Sequence, residues 1–295
     1  MTFQGGIAMA DDGWMDGDLR RPVDLRTDRA HAARVYDVLL GGKTNYPADR
    51  AMAAEVIAKM PTAQTAARVN RAFVLRTTRY LAAEAGVRQF LDIGTGIPTA
   101  PHLHEVAQAE AADTRVVYVD NDPIVLAHSR ALHVSHPSGR TAYVQADVTE
   151  PGSVLGSPAL RDTLDLTQPI AMTMCLLLHW LPQEADPHAI VRSLVEALPS
   201  GSYLVISVMA RELAAGSDGL EGDFAEEGTA LHAHTKEEAL RFFDGTKLVD
   251  PGLVVPQHWR PDLEDAAPGG APGALAAVPG DDEAPIWAGV ALKTS

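Results

Sequence analysis

The sequence predicts an α/β chain built on a doubly wound, mostly parallel sheet, and three stretches carry that expectation. Gln89 to Thr99 joins a short apolar run (Phe90, Leu91, Ile93) to a Gly-x-Gly turn, followed by helix-compatible text. Val116 to Asp120 is a second apolar run that ends in an acid. Pro169 to Leu178 is apolar at almost every position, as strands buried on both faces of a parallel sheet are.

Taken in order, Met1 to Arg21 is rich in Gly and Asp and poor in large apolar residues, so disorder is expected there. Arg29 to Leu40 has helical periodicity and stops at Gly41-Gly42. A polar loop (Lys43, Thr44, Asn45, Tyr46, Pro47) leads to a second helix over Ala48 to Lys59. These read either as a solvated helical arm or as a cap with Tyr36, Lys43, Asn45 and Tyr46 turned into a pocket. Thr65 to Ala85 is a third helix whose arginines, Arg76 among them, are expected on exposed faces or in ion pairs.

Beyond the first two strands, Asp122-Pro123 is a helix start. Thr141 to Ala146 is the third strand, with Asp147 at its end, either as a ligand-binding acid or as the cap of a short turn. The apolar Pro169–Leu178 strand runs into His179-Trp180-Leu181-Pro182. Asp186 to Leu198 is helical, and Tyr203 to Met209 is the fifth strand. Ala210 to His234, rich in Gly, Asp and Glu, is too long for an idle connector. Thr235, with Glu238 three residues on, opens another helix. Leu248 to Val255 and Ile286 to Leu292 are the last strands, with a Pro/Gly/Ala/Asp-rich excursion between them from Asp262 to Glu283.

A chain of 295 residues, 46% hydrophobic, suits one large domain, or one domain with an N-terminal extension. A net charge of −15 argues against nucleic acid, whose phosphates are held by clustered Lys and Arg. The lone Cys175 forms no internal disulfide, and no run is long and apolar enough for a membrane span. A soluble, cytoplasmic protein without a membrane partner is the expectation; oligomeric state is left open. His102/His104 and His232/His234 lack partners at metal-ligand spacing, so no metal is expected.

Strand, glycine turn and helix open a nucleotide-binding βαβ unit, with Gly94 making the turn and Gly96 letting a ligand lie on bare backbone. A dinucleotide fingerprint wants a third glycine where this chain has Thr99, which weighs against an NAD(P)-dependent oxidoreductase. Asp92, Asp120, Asp122 and Asp147 flank the turn, with no Lys or Arg between Phe90 and Asp113. Carboxylates around an uncharged turn suit a ligand bearing ammonium and sulfonium groups, S-adenosylmethionine.

The same residues carry a family resemblance. Arg34–Lys43 with Asn45, Asn70–Phe73, Phe90–Thr99, His104–Ala107, Val117–Pro123, Arg241–Gly245 and Trp259–Pro261 resemble a bacterial S-adenosyl methyltransferase family, class I, formerly a domain of unknown function. The likeness runs from about Asp24 to the C-terminus. It implies a Rossmann-like, mostly parallel seven-stranded sheet with helices on both faces, closed by an antiparallel pair and preceded by an N-terminal helical extension. The expected division is 1–21 disordered, 22–86 helical cap and 87–295 methyltransferase domain.

It also implies methyl transfer, with the acceptor unidentified and expected to be a small molecule, although a cofactor-binding regulatory protein without catalysis would share these motifs. Cofactor contacts are expected at Asp92 (the methionine ammonium), Gly94, Thr95, Gly96, Asp120 (ribose), Asn121, Asp147 (adenine) and Val148. Arg71 could fork the methionine carboxylate. His179, at the end of the fourth strand, is the candidate for lining the acceptor pocket or acting as base, beside Trp180. A packed structural histidine is the plainer alternative.

Overall fold

Seven strands form one sheet in the computed structural model, which describes residues 26–132, 135–213, 231–261 and 278–295. They are β1 (Gln89–Ile93), β2 (Arg115–Asp120), β3 (Arg140–Gln145), β4 (Ala171–Cys175), β5 (Tyr203–Met209), β6 (Lys247–Leu248) and β7 (Ile286–Leu292). Their order across the sheet is β3-β2-β1-β4-β5-β7-β6. The first five are parallel, and β7 lies antiparallel to both β5 and β6. The helices are α1 (Ala32–Leu39), α2 (Pro47–Lys59), α3 (Ala63–Ala83), α4 (Leu103–Glu110), α5 (Pro123–Leu132), α6 (Pro151–Leu155), α7 (Pro158–Thr163), α8 (Pro187–Glu196) and α9 (Lys236–Arg241).

Period-two alternation sends each strand's apolar residues to two separate cores. Leu91, Ile93, Val117, Val119, Met172, Met174, Leu204 and Ile206 face one side, packed with Val154, Leu160, Ile190 and Leu194 from α6 to α8. Phe90, Val116, Tyr118, Ala171 and Val205 face the other, against Phe73 and Leu81 of α3 and Leu103 and Ala107 of α4. Coverage on both faces is why these strands read as almost unbroken apolar runs. A third cluster joins Val35, Leu39, Met52 and Val56 of α1 and α2 to Met209 and Leu231 beside the end of β5.

Three expectations change. The strand expected over Leu248–Val255 pairs only at Lys247–Leu248 and resumes as a single bridge at Val254, because a turn intervenes in which Gly252 takes φ +89°. The central apolar strand stops at Cys175, not Leu178: Leu176 adopts φ +50°, and a 3-10 turn over Leu178–Trp180 follows. Arg76 is 1% exposed, its Nε donating to the Trp259 carbonyl at 2.6 Å and its Nη2 to the Pro256 carbonyl at 2.5 Å. The N-terminal segment 1–21 and most of the Ala210–His234 and Asp262–Glu283 intervals lie outside the described residues.

Candidate functional site

The polypeptide turns sharply where β1 ends. Gly94 and Gly96 sit at φ +71° and +67°, in the left-handed region that costs a side-chain-bearing residue about 1–2 kcal/mol. The two glycines serve different ends. A Cβ on Gly94 would lie 2.7 Å from Leu177 Cδ1, so a side chain there requires Leu177 to shift. At Gly96 the nearest atom would be the Ala33 Cβ at 4.0 Å, so the backbone is bare and faces open space. The Gly96 N–H donates to Asp120 Oδ2 at 3.0 Å, and the Asp122 N–H donates to Oδ1 at 2.9 Å, which locks the acid of β2 beside the turn.

Parallel strands leave a crevice at their C-terminal ends. Here it is a cavity of about 560 Å³, within the rough 300–1,000 Å³ span of small-molecule pockets. The tips of β1, β2 and β3 bring Asp92, Gly94, Thr95, Gly96, Asp120, Asn121, Asp147 and Val148 into its wall. Residues scattered over 57 positions are thus gathered at one end of the sheet. Asp92 accepts a hydrogen bond from Thr173 Oγ1. Burial pushes its carboxyl pKa up, partly offset by Thr173, Thr95 and Arg71. Burial raises Asp120 as well, against the two backbone N–H groups that favour its charged form. Asp147 is more exposed, with Oδ1 taken by the Thr149 N–H at 2.9 Å and hydroxyl at 2.7 Å.

Basic groups come from the N-terminal helices: Arg71, expected from the sequence, and His31 and Arg34, not expected at the site. His31, the cap of α1, lines the cavity and lies 3.4 Å from Asp122, which turns away from it. Arg34, buried, stands 3.4 Å from Asp49 and 3.9 Å from Asp122. Arg71 lines the cavity, and its Nη2 donates to the carbonyls of Thr99 and Pro101 at 2.5 Å each. It therefore holds the segment after the glycine turn, and its buried Nε has no hydrogen-bond partner among the described residues. His31 has no sequence signature beyond a cap position and Asp49 has none, whereas Arg34 opens the Arg34–Lys43 block of the family resemblance.

The cavity wall also holds His179 and Trp180, rings 5.0 Å apart, and Tyr36. Burial and the neighbouring His234 push the His179 pKa down to about 3, so the imidazole is neutral, and its buried Nδ1 has no hydrogen-bond partner among the described residues. Tyr36 is saturated instead. Its hydroxyl donates to the Ala67 carbonyl at 2.9 Å and accepts from Asn70 Nδ2 at 3.0 Å, and burial raises its pKa to about 12. Lys43, Asn45 and Tyr46 do not line the cavity. Lys43 is exposed; Asn45 braces its own loop through Asp37 and Gly42; Tyr46 caps α2 and packs near Ile97 and Ile124. Short-range loop chemistry uses up the groups that looked available.

His232, His234 and Glu238 lie close enough together to suggest a cation site. Arg211 already supplies the positive charge: its Nη2 is 3.0 Å from His232 Nε2 and 3.5 Å from the Glu238 carboxylate.

The donor set at the strand tips fits S-adenosylmethionine. Two carboxylates whose burial disfavours their charge face the cavity and gain from a cationic guest, and bare backbone at Gly96 leaves room for it. Two solved structures resemble the chain over nearly its whole length. One is a DUF574 family protein from Streptomyces avermitilis, 44% identical, TM-score 0.83, covering 91% of this chain and 99% of that one. Another, from Thermobifida fusca, is a candidate methyltransferase, 37% identical, TM-score 0.80, covering 94% and 100%. The plantazolicin methyltransferase BamL, solved with S-adenosylhomocysteine, shares the fold at TM-score 0.53 and 11% identity, covering 90% and 96%. No curated protein matches. A family model described as S-adenosyl methyltransferase matches residues 18–294. With its cofactor-fitting strand tips and this match along almost its full length, the chain belongs to the S-adenosyl methyltransferase family, a class I, S-adenosylmethionine-dependent methyltransferase.

Proposed function

We propose that the enzyme methylates a small-molecule acceptor, holding its cofactor on the acids of the strand tips and the acceptor under the N-terminal helices. Bound S-adenosylmethionine supplies an electrophilic methyl on sulfonium. The residues around it bind, orient and exclude water. Asp92 orients the methionine ammonium, and Gly94, Thr95 and Gly96 pass the backbone along the ligand. Asp120 takes the ribose hydroxyls with the lone pairs not used by Gly96 and Asp122. Asp147 takes the adenine amine through Oδ2, with Asn121 and Val148 alongside. Arg71 acts mainly by fixing the turn, since its Nη2 is committed to Thr99 and Pro101.

His179 lines the acceptor end and accepts a hydrogen bond there. A ring whose pKa is pushed down to about 3 does not keep a proton at neutral pH, so orienting the nucleophile suits it better than storing charge. Residues 22–86 act as the cap: α1 and α2 form its roof, while α3 also shares a core with the sheet. A cytosolic location is in keeping with one unpaired cysteine.

The observation that carries this reading is the convergence of Asp92, Asp120 and Asp147 on one cavity beside a bare Gly96. Replacing Asp120 by Ala should weaken S-adenosylmethionine binding by about 1.5–3 kcal/mol, the worth of hydrogen bonds to a charged group. Calorimetric titration measures it, and unchanged affinity would remove Asp120 from the site.

A further inference from the structure

The cavity has two chemically different ends. Every acid in its wall (Asp92, Asp120, Asp147) is at a strand tip, and Arg71 and His31 stand with them. Past His179 the wall is made by Val35 and Leu39 of α1, Val56 of α2, Met60, and Met209 and Leu231 beside β5. No Asp, Glu, Lys or Arg among the described residues lines that chamber.

The few polar groups bordering it are already satisfied. Asn70 Nδ2 donates to Tyr36, its Oδ1 accepts from Ser207 Oγ at 2.6 Å, and Tyr36 spends its proton on Ala67. Cys175 is half-buried beside Ser207, and desolvation pushes its thiol pKa up to about 12. His179 is the exception: the residue lines the cavity, and its buried Nδ1 has no hydrogen-bond partner among the described residues. A charged acceptor placed here would lose its hydration and find no counter-charge among the described residues of that wall, a cost of several kcal/mol. A hydrocarbon-rich, uncharged one would gain from every methylene it buries.

We propose, resting on the methyltransferase reading above, that the acceptor is an uncharged, largely apolar small molecule with a single hydroxyl or amine. Its body lies in the chamber between α1, α2 and the end of β5, and its polar hydrogen is directed at the His179 ring. The absence of charged side chains among the chamber's described residues selects against phosphorylated, carboxylated or cationic relatives of the same size.

The test uses the neutral fluorophore N-phenyl-1-naphthylamine with full-length protein saturated with S-adenosylhomocysteine. Its fluorescence should rise on binding with a micromolar Kd, 1-naphthol should displace it, and 1-naphthyl phosphate should not. Val56→Phe, which fills the chamber, and Met60→Glu, which puts a charge on its half-buried rim, should each weaken the fluorophore roughly tenfold or more. Calorimetric affinity for S-adenosylhomocysteine should be unchanged in both. Met60 is the safeguard against misfolding, because its side chain is only partly buried. The proposal is overturned if the loaded protein gives no fluorescence rise, if both variants bind the fluorophore like the parent, or if 1-naphthyl phosphate competes as well as 1-naphthol. Protein that binds the fluorophore but not S-adenosylhomocysteine would overturn the cofactor reading and leave the chamber standing.

Discussion

His179 shows how far burial alone can move a side chain from its usual chemistry. The ring is 4% exposed, and desolvation together with His234 takes its pKa from 6.5 to about 3. In the unfolded chain the same imidazole titrates near 6.5, so below that pH the unfolded state binds more protons than the folded one. Stability from this group is therefore full above pH 6.5 and is lost as pH falls toward 3, by up to about 1.4 kcal/mol per pH unit. Melting temperature followed from pH 7.5 to pH 5 (about two to three units, chosen to span the onset) should fall, and more steeply in the parent than in His179→Gln. Equal slopes would mean that the ring is not held neutral by its surroundings. Asp120 is the counterpart among the acids, desolvated but kept useful by two backbone donors.

At the scale of elements, the turn after β1 divides its two glycines between packing and binding. Gly94→Ala meets both the left-handed φ and the Leu177 side chain, a combined cost of about 2–4 kcal/mol. Gly96→Ala meets only the φ, about 1–2 kcal/mol, but its methyl points into the space intended for cofactor. Urea denaturation should rank Gly94→Ala as the less stable protein, and calorimetry should show S-adenosylmethionine affinity lost chiefly in Gly96→Ala. The reverse ranking would contradict the division. Capping is as local as this turn: Thr235 and Glu238 close a reciprocal box at the start of α9, as their spacing implies.

Across the whole molecule, Arg76 fastens the N-terminal helices to the C-terminal segment. Its guanidinium reaches carbonyls 180 and 183 residues away, and Trp259 packs edge-on against Phe73 and Tyr80 of α3. Arg76→Met keeps much of the volume but strands the Trp259 and Pro256 carbonyls, so unfolding by urea should become easier by about 2–5 kcal/mol. A loss under about 0.5 kcal/mol, the size of a surface change, would show that the arginine holds nothing together. Sequence reasoning expected such arginines on exposed faces or in ion pairs, because charge in a helix is usually solvated. Acceptors on backbone far along the chain leave no mark in local text.

What the sequence determined by itself is whatever depends on neighbours a few residues apart. The alternation that makes β1, β2, β4 and β5, the glycine turn at Gly94–Gly96, the acids ending successive strands and the cofactor class are of this kind, since period, φ and charge are local properties. The tertiary structure alone decided which side chains meet. It turned Asp122 away to His31 and Arg34, committed Arg71 to the turn, drew Asn45 and Tyr46 into loop and cap, and brought Val35, Leu39, Val56 and Met209 to the same cavity wall as His179. Those outcomes depend on competition among distant groups for the same hydrogen bonds and the same dry space, and linear spacing does not encode that competition.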